Sequence, residues 1–171
     1  DDVDAIVHGT TVATNAILER KGAKCGLITT RGFRDVLELG RRTRPQAYGM
    51  RGSFEALIPR ELRLEVNERI GADGEIITPL HEEEVRAALS RLEELGAGSV
   101  LIHYLNSYAN PVHEQRSLEI AREVWANDYV TTSAQVLNEY REFERGSAGA
   151  INAYVQPVLA RYLAKLEKEL R

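Results

Sequence analysis

The chain has 171 residues, enough to bury a sizeable core as one domain or as a domain with a lobe. Its 43% hydrophobic and 28% charged residues fit a globular protein, and a net charge of −4 argues against a nucleic-acid or anionic-membrane role. No stretch approaches the ~20 apolar residues of a membrane helix, and a single cysteine, Cys25, excludes an internal disulfide and fits a reducing compartment.

The first readable unit is βαβ-like. A short apolar strand near residues 4–7 stops at His8-Gly9, a helix follows over residues 10–21 with Gly22 as its stop, and a second strand covers residues 24–29. Two strands joined through a helix imply a parallel pair and a right-handed crossover. The run Gly32-Phe33-Arg34-Asp35 then lies at the carboxyl end of the second strand, where open α/β sheets bind ligands. Residues 43–52 are rich in Arg, Pro and Gly and read as a loop. Arg41, Arg42, Arg44 and Arg51 gather positive charge there, either for an anion or simply for solvent.

Residues 62–70 alternate apolar and polar and predict a half-buried strand. Ala72-Asp73-Gly74 predicts a turn, with the partner strand at residues 75–78. This marks a small antiparallel insertion within residues 53–80. An amphipathic helix over residues 82–95 follows, with His81 as a weak cap, then a buried-type strand at residues 99–105. Asn110-Pro111 opens a helix reaching about Trp125, and residues 129–136 read as another strand. Residues 139–171 form a long helical tract that Pro157 must kink or interrupt. The expected fold is α/β, a mostly parallel sheet flanked by helices with a small antiparallel insertion.

Neither a Walker A loop nor a G-x-G-x-x-G run is present, and the four histidines do not share metal-ligand spacing, so no metal site is expected. His113-Glu114 reads as surface. The turn His8-Gly9-Thr10-Thr11 is the most promising ligand feature, because it offers backbone N–H groups and hydroxyls to an anion; helix capping by a threonine explains it as well. Arg34-Asp35 reads equally as a ligand wall or as a local ion pair, and Glu144-Arg145 as a ligand contact or a charged helix face.

Several spaced runs resemble the amino-terminal region of the hydantoinase A/5-oxoprolinase family. They are Val7-His-Gly-Thr-Thr-Val-Ala-Thr-Asn15 and Gly26-Leu-Ile-Thr-Thr-Arg-Gly-Phe-Arg-Asp35 through Arg41. Further matches are Glu68-Arg69 with Asp73-Gly74, Ser107-Tyr-Ala-Asn-Pro111 with His113-Glu114, and Glu139-Tyr-Arg-Glu-Phe-Glu-Arg145 with Asn152 to Pro157. The resemblance implies an incomplete fold of the actin-like ATPase type, with residues 1–171 as a domain of an ATP-dependent cyclic-amide hydrolase of the N-methylhydantoinase or 5-oxoprolinase type. The alternatives are a subunit domain of an acetone or acetophenone carboxylase, or a non-catalytic assembly domain that uses its last helix.

The resemblance further implies ATP with Mg²⁺ as cofactor of the longer enzyme, a small cyclic amide as substrate, the remainder of the polypeptide and a hydantoinase B-like subunit as partners, and a cytoplasmic location. His8, Gly9, Thr10, Thr11 and Asn15 would line the cleft, Gly32, Phe33, Arg34 and Asp35 would form an adjacent wall, and Arg41 and Arg145 would be anion contacts. The family's Asp-x-Gly-Gly-Thr hairpin is not in this sequence, which also starts without methionine. The chain is therefore expected to be a piece of a longer enzyme, inactive alone.

Overall fold

The computed structural model of the chain describes residues 8–40 and 55–170. The strand expected at residues 4–7, with its crossover, the loop at residues 43–52 and Arg41 lie outside the described residues.

Four strands form a parallel sheet in the order β2-β1-β5-β6: β1 is Cys25–Thr30, β2 Arg63–Val66, β5 Ser99–His103 and β6 Val130–Thr132. The two central strands, β1 and β5, are buried along their whole length and run in register from Cys25 opposite Ser99 to Thr29 opposite His103. Such strands read as continuous apolar runs because helices cover both faces. Helices α3 (Glu82–Glu94) and α4 (Val112–Val124) cover one face, and α6 (Glu142–Leu170) covers the other. The short helices α1 (Val12–Leu18), α2 (Val36–Leu39) and α5 (Ser133–Val136) pack against α6. Among the described residues, no helix is long and apolar enough to cross a membrane.

Glycine permits the close layers. A Cβ on Gly26 of β1 would come within 2.7 Å of Leu92 of α3, and one on Gly149 of α6 within 2.6 Å of Leu101 of β5. With Ala150 and Ala153, both buried, Gly149 gives α6 a small-residue stripe that lies flat on the sheet.

The α/β expectation holds, and a small antiparallel sheet is present, but two strand assignments change. The alternating run at residues 62–70 is not one strand. Leu62 ends a short 3₁₀ turn, Arg63–Val66 joins the parallel sheet beside β1, and Arg69–Ile70 (β3) pairs antiparallel with Ile76–Thr78 (β4). The break falls at Asn67, whose N–H donates to Glu84 and whose carbonyl accepts from the His81 N–H, so helix α3 takes the backbone bonds a continuing strand would need. The strand expected at residues 129–136 stops at Thr132. There Ser133 and Ala134 donate to the Glu114 carboxylate and turn the chain into α5. Pro157 does not end the last helix: it is buried within α6, which runs unbroken to Leu170.

Candidate functional site at the carboxyl edge of the sheet

From β1 the chain crosses to β2 on one side, and after β2 it returns to β5 on the other. The carboxyl ends of β1 and β5 therefore flank the point where an open α/β sheet leaves a crevice. Most of the buried polar side chains among the described residues gather there.

Glu114, in the first turn of α4, is 1% exposed and accepts four hydrogen bonds: from Tyr104 N (3.0 Å), Ser107 Oγ (2.7 Å), Ser133 Oγ (2.6 Å) and Ala134 N (2.9 Å). Burial outweighs these donors and raises its carboxyl above the ordinary value. Arg145, in the first turns of α6, is 0% exposed. Its guanidinium donates to Ser133 Oγ (3.3 Å), the Glu139 carbonyl (2.8 Å), the Tyr104 carbonyl (2.9 Å) and the Glu142 carboxylate, and it sits 5.6 Å from the centre of the Tyr108 ring. The other Glu142 oxygen accepts from Asn106 N (3.0 Å), and burial raises this carboxyl as well.

His103 closes the same cluster, with Nδ1 2.8 Å from Ser133 Oγ; burial and then the neighbouring Arg145 charge push its pKa down to about 3, so it is neutral at physiological pH. A second limb runs through Glu68, whose carboxylate accepts from Thr30 Oγ1 at the end of β1 and lies 2.8 Å from His113 Nδ1. Thr30 Oγ1 in turn accepts from Leu105 N at 2.9 Å. The network thus ties the ends of β1, β5 and β6 to the starts of α4 and α6.

The residues expected to form the site fall in three places. His8, Gly9, Thr10, Thr11 and Asn15 are exposed at the start of α1. His8 contacts the Tyr162 hydroxyl of α6, Thr10 Oγ1 accepts from Val12 N at 3.2 Å, and Asn15 donates to Thr11 Oγ1 at 3.5 Å. Gly32, Phe33, Arg34 and Asp35 follow β1. Gly32, at φ +89°, donates its N–H to Glu65 (2.7 Å), and Arg69 lies over the Phe33 ring at 4.8 Å. The Arg34 carbonyl accepts from Arg63 at 3.5 Å. Asp35 pairs with Arg60 at 3.0 Å, which lowers its carboxyl pKa, and with the buried Arg63 at 3.4 Å. In this pairing, the Asp35 carboxylate holds its own loop. Arg145 forms the third place, inside the network.

These groups are not brought into contact. The α1 turn meets α6 at Tyr162, whereas α2, directly after Asp35, meets it at Gly146 through Leu37. Sixteen residues of helix separate the two, about 24 Å along its axis. His113 and Glu114, read from the sequence as surface, are both buried, and His103 was missed by sequence reasoning. None stands in a spacing that marks it, and only the closeness of Glu114 to a helix start hinted that a carboxylate was wanted there. Among the described residues, no three His, Cys, Asp or Glu side chains lie together as a metal site.

The fold and its edge define an open, mostly parallel α/β domain whose buried polar groups converge at the carboxyl ends of the central strands. The chain belongs to the hydantoinase/oxoprolinase N-terminal region family, whose model matches residues 1–125. It is 41% identical to an uncharacterized protein of Methanocaldococcus jannaschii over all of this chain and 26% of that protein. It is 36% identical to the acetophenone carboxylase gamma subunit of Aromatoleum aromaticum, over 90% of this chain and 23% of the subunit. The crystal structure of the ATP-dependent caprolactamase from Pseudomonas jessenii superimposes with a TM-score of 0.85 at 34% identity, over 93% of this chain and 23% of that one. The chain thus spans about a quarter of the length of these three relatives.

Proposed function

We propose that this chain is part of an ATP-dependent cyclic-amide hydrolase and supplies one wall of its substrate and nucleotide cleft. The observation that carries the reading is the likeness to the ATP-dependent caprolactamase, which extends over nearly the whole chain at 34% identity. The exposed α1 turn suits a phosphate. Gly9 has no neighbour within 4 Å of where a Cβ would stand, so an oxygen can approach its backbone, and the Thr10 and Thr11 hydroxyls are at the surface.

In this reading, Gly9, Thr10 and Thr11 would hold phosphate oxygens of Mg-ATP, while His8 and Asn15 would flank them. Bound Mg-ATP supplies a transferable phosphoryl group for activating a carbonyl oxygen. Gly32, Phe33, Arg34 and Asp35 would border the substrate, and Arg41 would add positive charge. Arg145 acts on the site through the Tyr104 and Glu142 groups it holds. The rest of the polypeptide and a hydantoinase B-like subunit complete the enzyme in the cytoplasm, and the piece alone is inactive. The likeness to the acetophenone carboxylase gamma subunit supports a second reading, in which the same wall serves a ketone.

The test is an assay of the intact protein with its partner subunit. ATP-dependent ring opening of caprolactam, hydantoin or 5-oxoproline supports the hydrolase, and bicarbonate-dependent consumption of a ketone instead establishes the carboxylase. Thr10→Val is expected to lower kcat/KM roughly tenfold, the weight of one hydrogen bond to a charged oxygen. An unchanged rate removes the hydroxyl from the site.

A further inference from the structure

Arg69, on the small antiparallel sheet, is a half-buried cation without an acid. Its guanidinium lies over the Phe33 ring at 4.8 Å and, among the described residues, meets no carboxylate, carbonyl or hydroxyl. Arg31, Arg60, Arg86 and Arg116 are exposed or half-buried, and each pairs with a carboxylate within 3.0 Å. The fold thus supplies acids to arginines that water could serve and leaves Arg69 without one.

The residues on either side hold Arg69 in place. Glu68, 3% exposed, accepts from Thr30 Oγ1 at the end of β1 and lies 2.8 Å from His113 Nδ1. Ile70 is 0% exposed, and its carbonyl accepts from Asn106 Nδ2 at 2.9 Å. Asn106 follows β5 at φ +57°, a left-handed conformation that asparagine adopts more readily than most residues, and its own N–H donates to Glu142. Side chains alternate along a strand, so with Glu68 and Ile70 turned into the molecule Arg69 turns the other way, over the loop after β1. A guanidinium fixed on both sides and rested on an aromatic ring loses little further freedom on binding. Its parallel N–H groups match the two oxygens of a carboxylate or phosphate.

We propose that Arg69, carried on the antiparallel hairpin and rested on Phe33, is an oxyanion-binding residue of the wall formed by Gly32, Phe33, Arg34 and Asp35. The anion is a carboxylate that the substrate carries or a phosphoryl group transferred to it. The proposal rests on the reading above for that wall. It also gives the antiparallel insertion a task, which is to bring a cation to the carboxyl edge of the parallel sheet.

The test is calorimetric titration of the intact protein with inorganic phosphate and with 5-oxoproline, which carries a carboxylate, for wild type, Arg69→Met and Arg69→Lys. Arg69→Met is expected to raise Kd about tenfold for the anion that Arg69 serves. Arg69→Lys keeps the charge without the fork and is expected to raise it less. Only one cation–π contact is lost, so the melting temperature is expected to change little, and the lysine variant carries the comparison should the methionine variant not fold. A weakening for 5-oxoproline alone identifies the substrate carboxylate, and one for phosphate alone identifies the transferred phosphoryl group. A wild type that binds neither anion, or binds both with the Kd of Arg69→Met, overturns the proposal. Ring opening by the wild type in that case leaves the cyclic-amide reading standing. Arg69-dependent binding without ring opening of any cyclic amide overturns that reading alone.

Discussion

At the residue scale, Arg145 is a large charged side chain that the fold buries completely. A fully buried guanidinium is tolerated because Ser133, Glu139, Tyr104 and Glu142 receive its protons. Arg145→Met keeps the bulk and removes the charge, leaving Glu142 and two carbonyls without their donor. It is expected to cost about 3–5 kcal/mol, read as a lower urea midpoint with unchanged m-value. Asp35→Asn tests the opposite case. Its carboxylate pairs at a partly exposed position with Arg60, so the loss is expected to stay within about 1 kcal/mol. A large loss there would mean that the buried Arg63, and not Arg60, depends on Asp35.

At the element scale, the decisive contact is α6 on β5. Alanine is a better helix former than glycine by about 1 kcal/mol, so an unconstrained Gly149→Ala would stabilise. Here the new Cβ would stand 2.6 Å from Leu101 Cδ1, and Leu101 is 0% exposed with no room to retreat. The substitution is expected to destabilise by about 1–3 kcal/mol. Adding Leu101→Val should recover part of that loss, and a double-mutant cycle measures the coupling. The small antiparallel sheet depends on side chains from elsewhere: Asn106 and Asn110 donate to the Ile70 and Gly74 carbonyls at 2.9 and 2.8 Å. A two-stranded sheet is marginal alone, and this one is fastened to the loop after β5.

At the scale of the whole molecule, the buried network sets a pH window. His103 titrates near 3 when folded and near its ordinary 6.5 when unfolded. Its contribution is complete above pH 6.5 and is lost as pH falls towards 3, at up to about 1.4 kcal/mol per unit. Glu114 and Glu142 act oppositely: their raised folded values add stability below the ordinary 4.5, which is lost as pH rises through those values. The difference between wild type and His103→Gln isolates the histidine. The variant is expected to lose less stability than the wild type between pH 6.5 and 5 in chemical denaturation, and parallel curves would mean that His103 takes up its proton alike in the folded and unfolded chain.

The sequence by itself determined the layers. Continuous apolar runs marked β1 and β5, 3.6-residue periodicity marked α3 and α4, and the motif runs pointed to the family that the comparisons bear out. It also held the polar residues of the carboxyl edge, but gave no sign that they meet. Glu68, His103, Glu114 and Arg145 are far apart in sequence and come together because parallel strands end on the same side of the sheet. Tertiary structure likewise decided where two strands stop. At Asn67 and Ala134, a carboxylate from a neighbouring helix takes the N–H that a longer strand would use, and alternation along the chain does not register that competition.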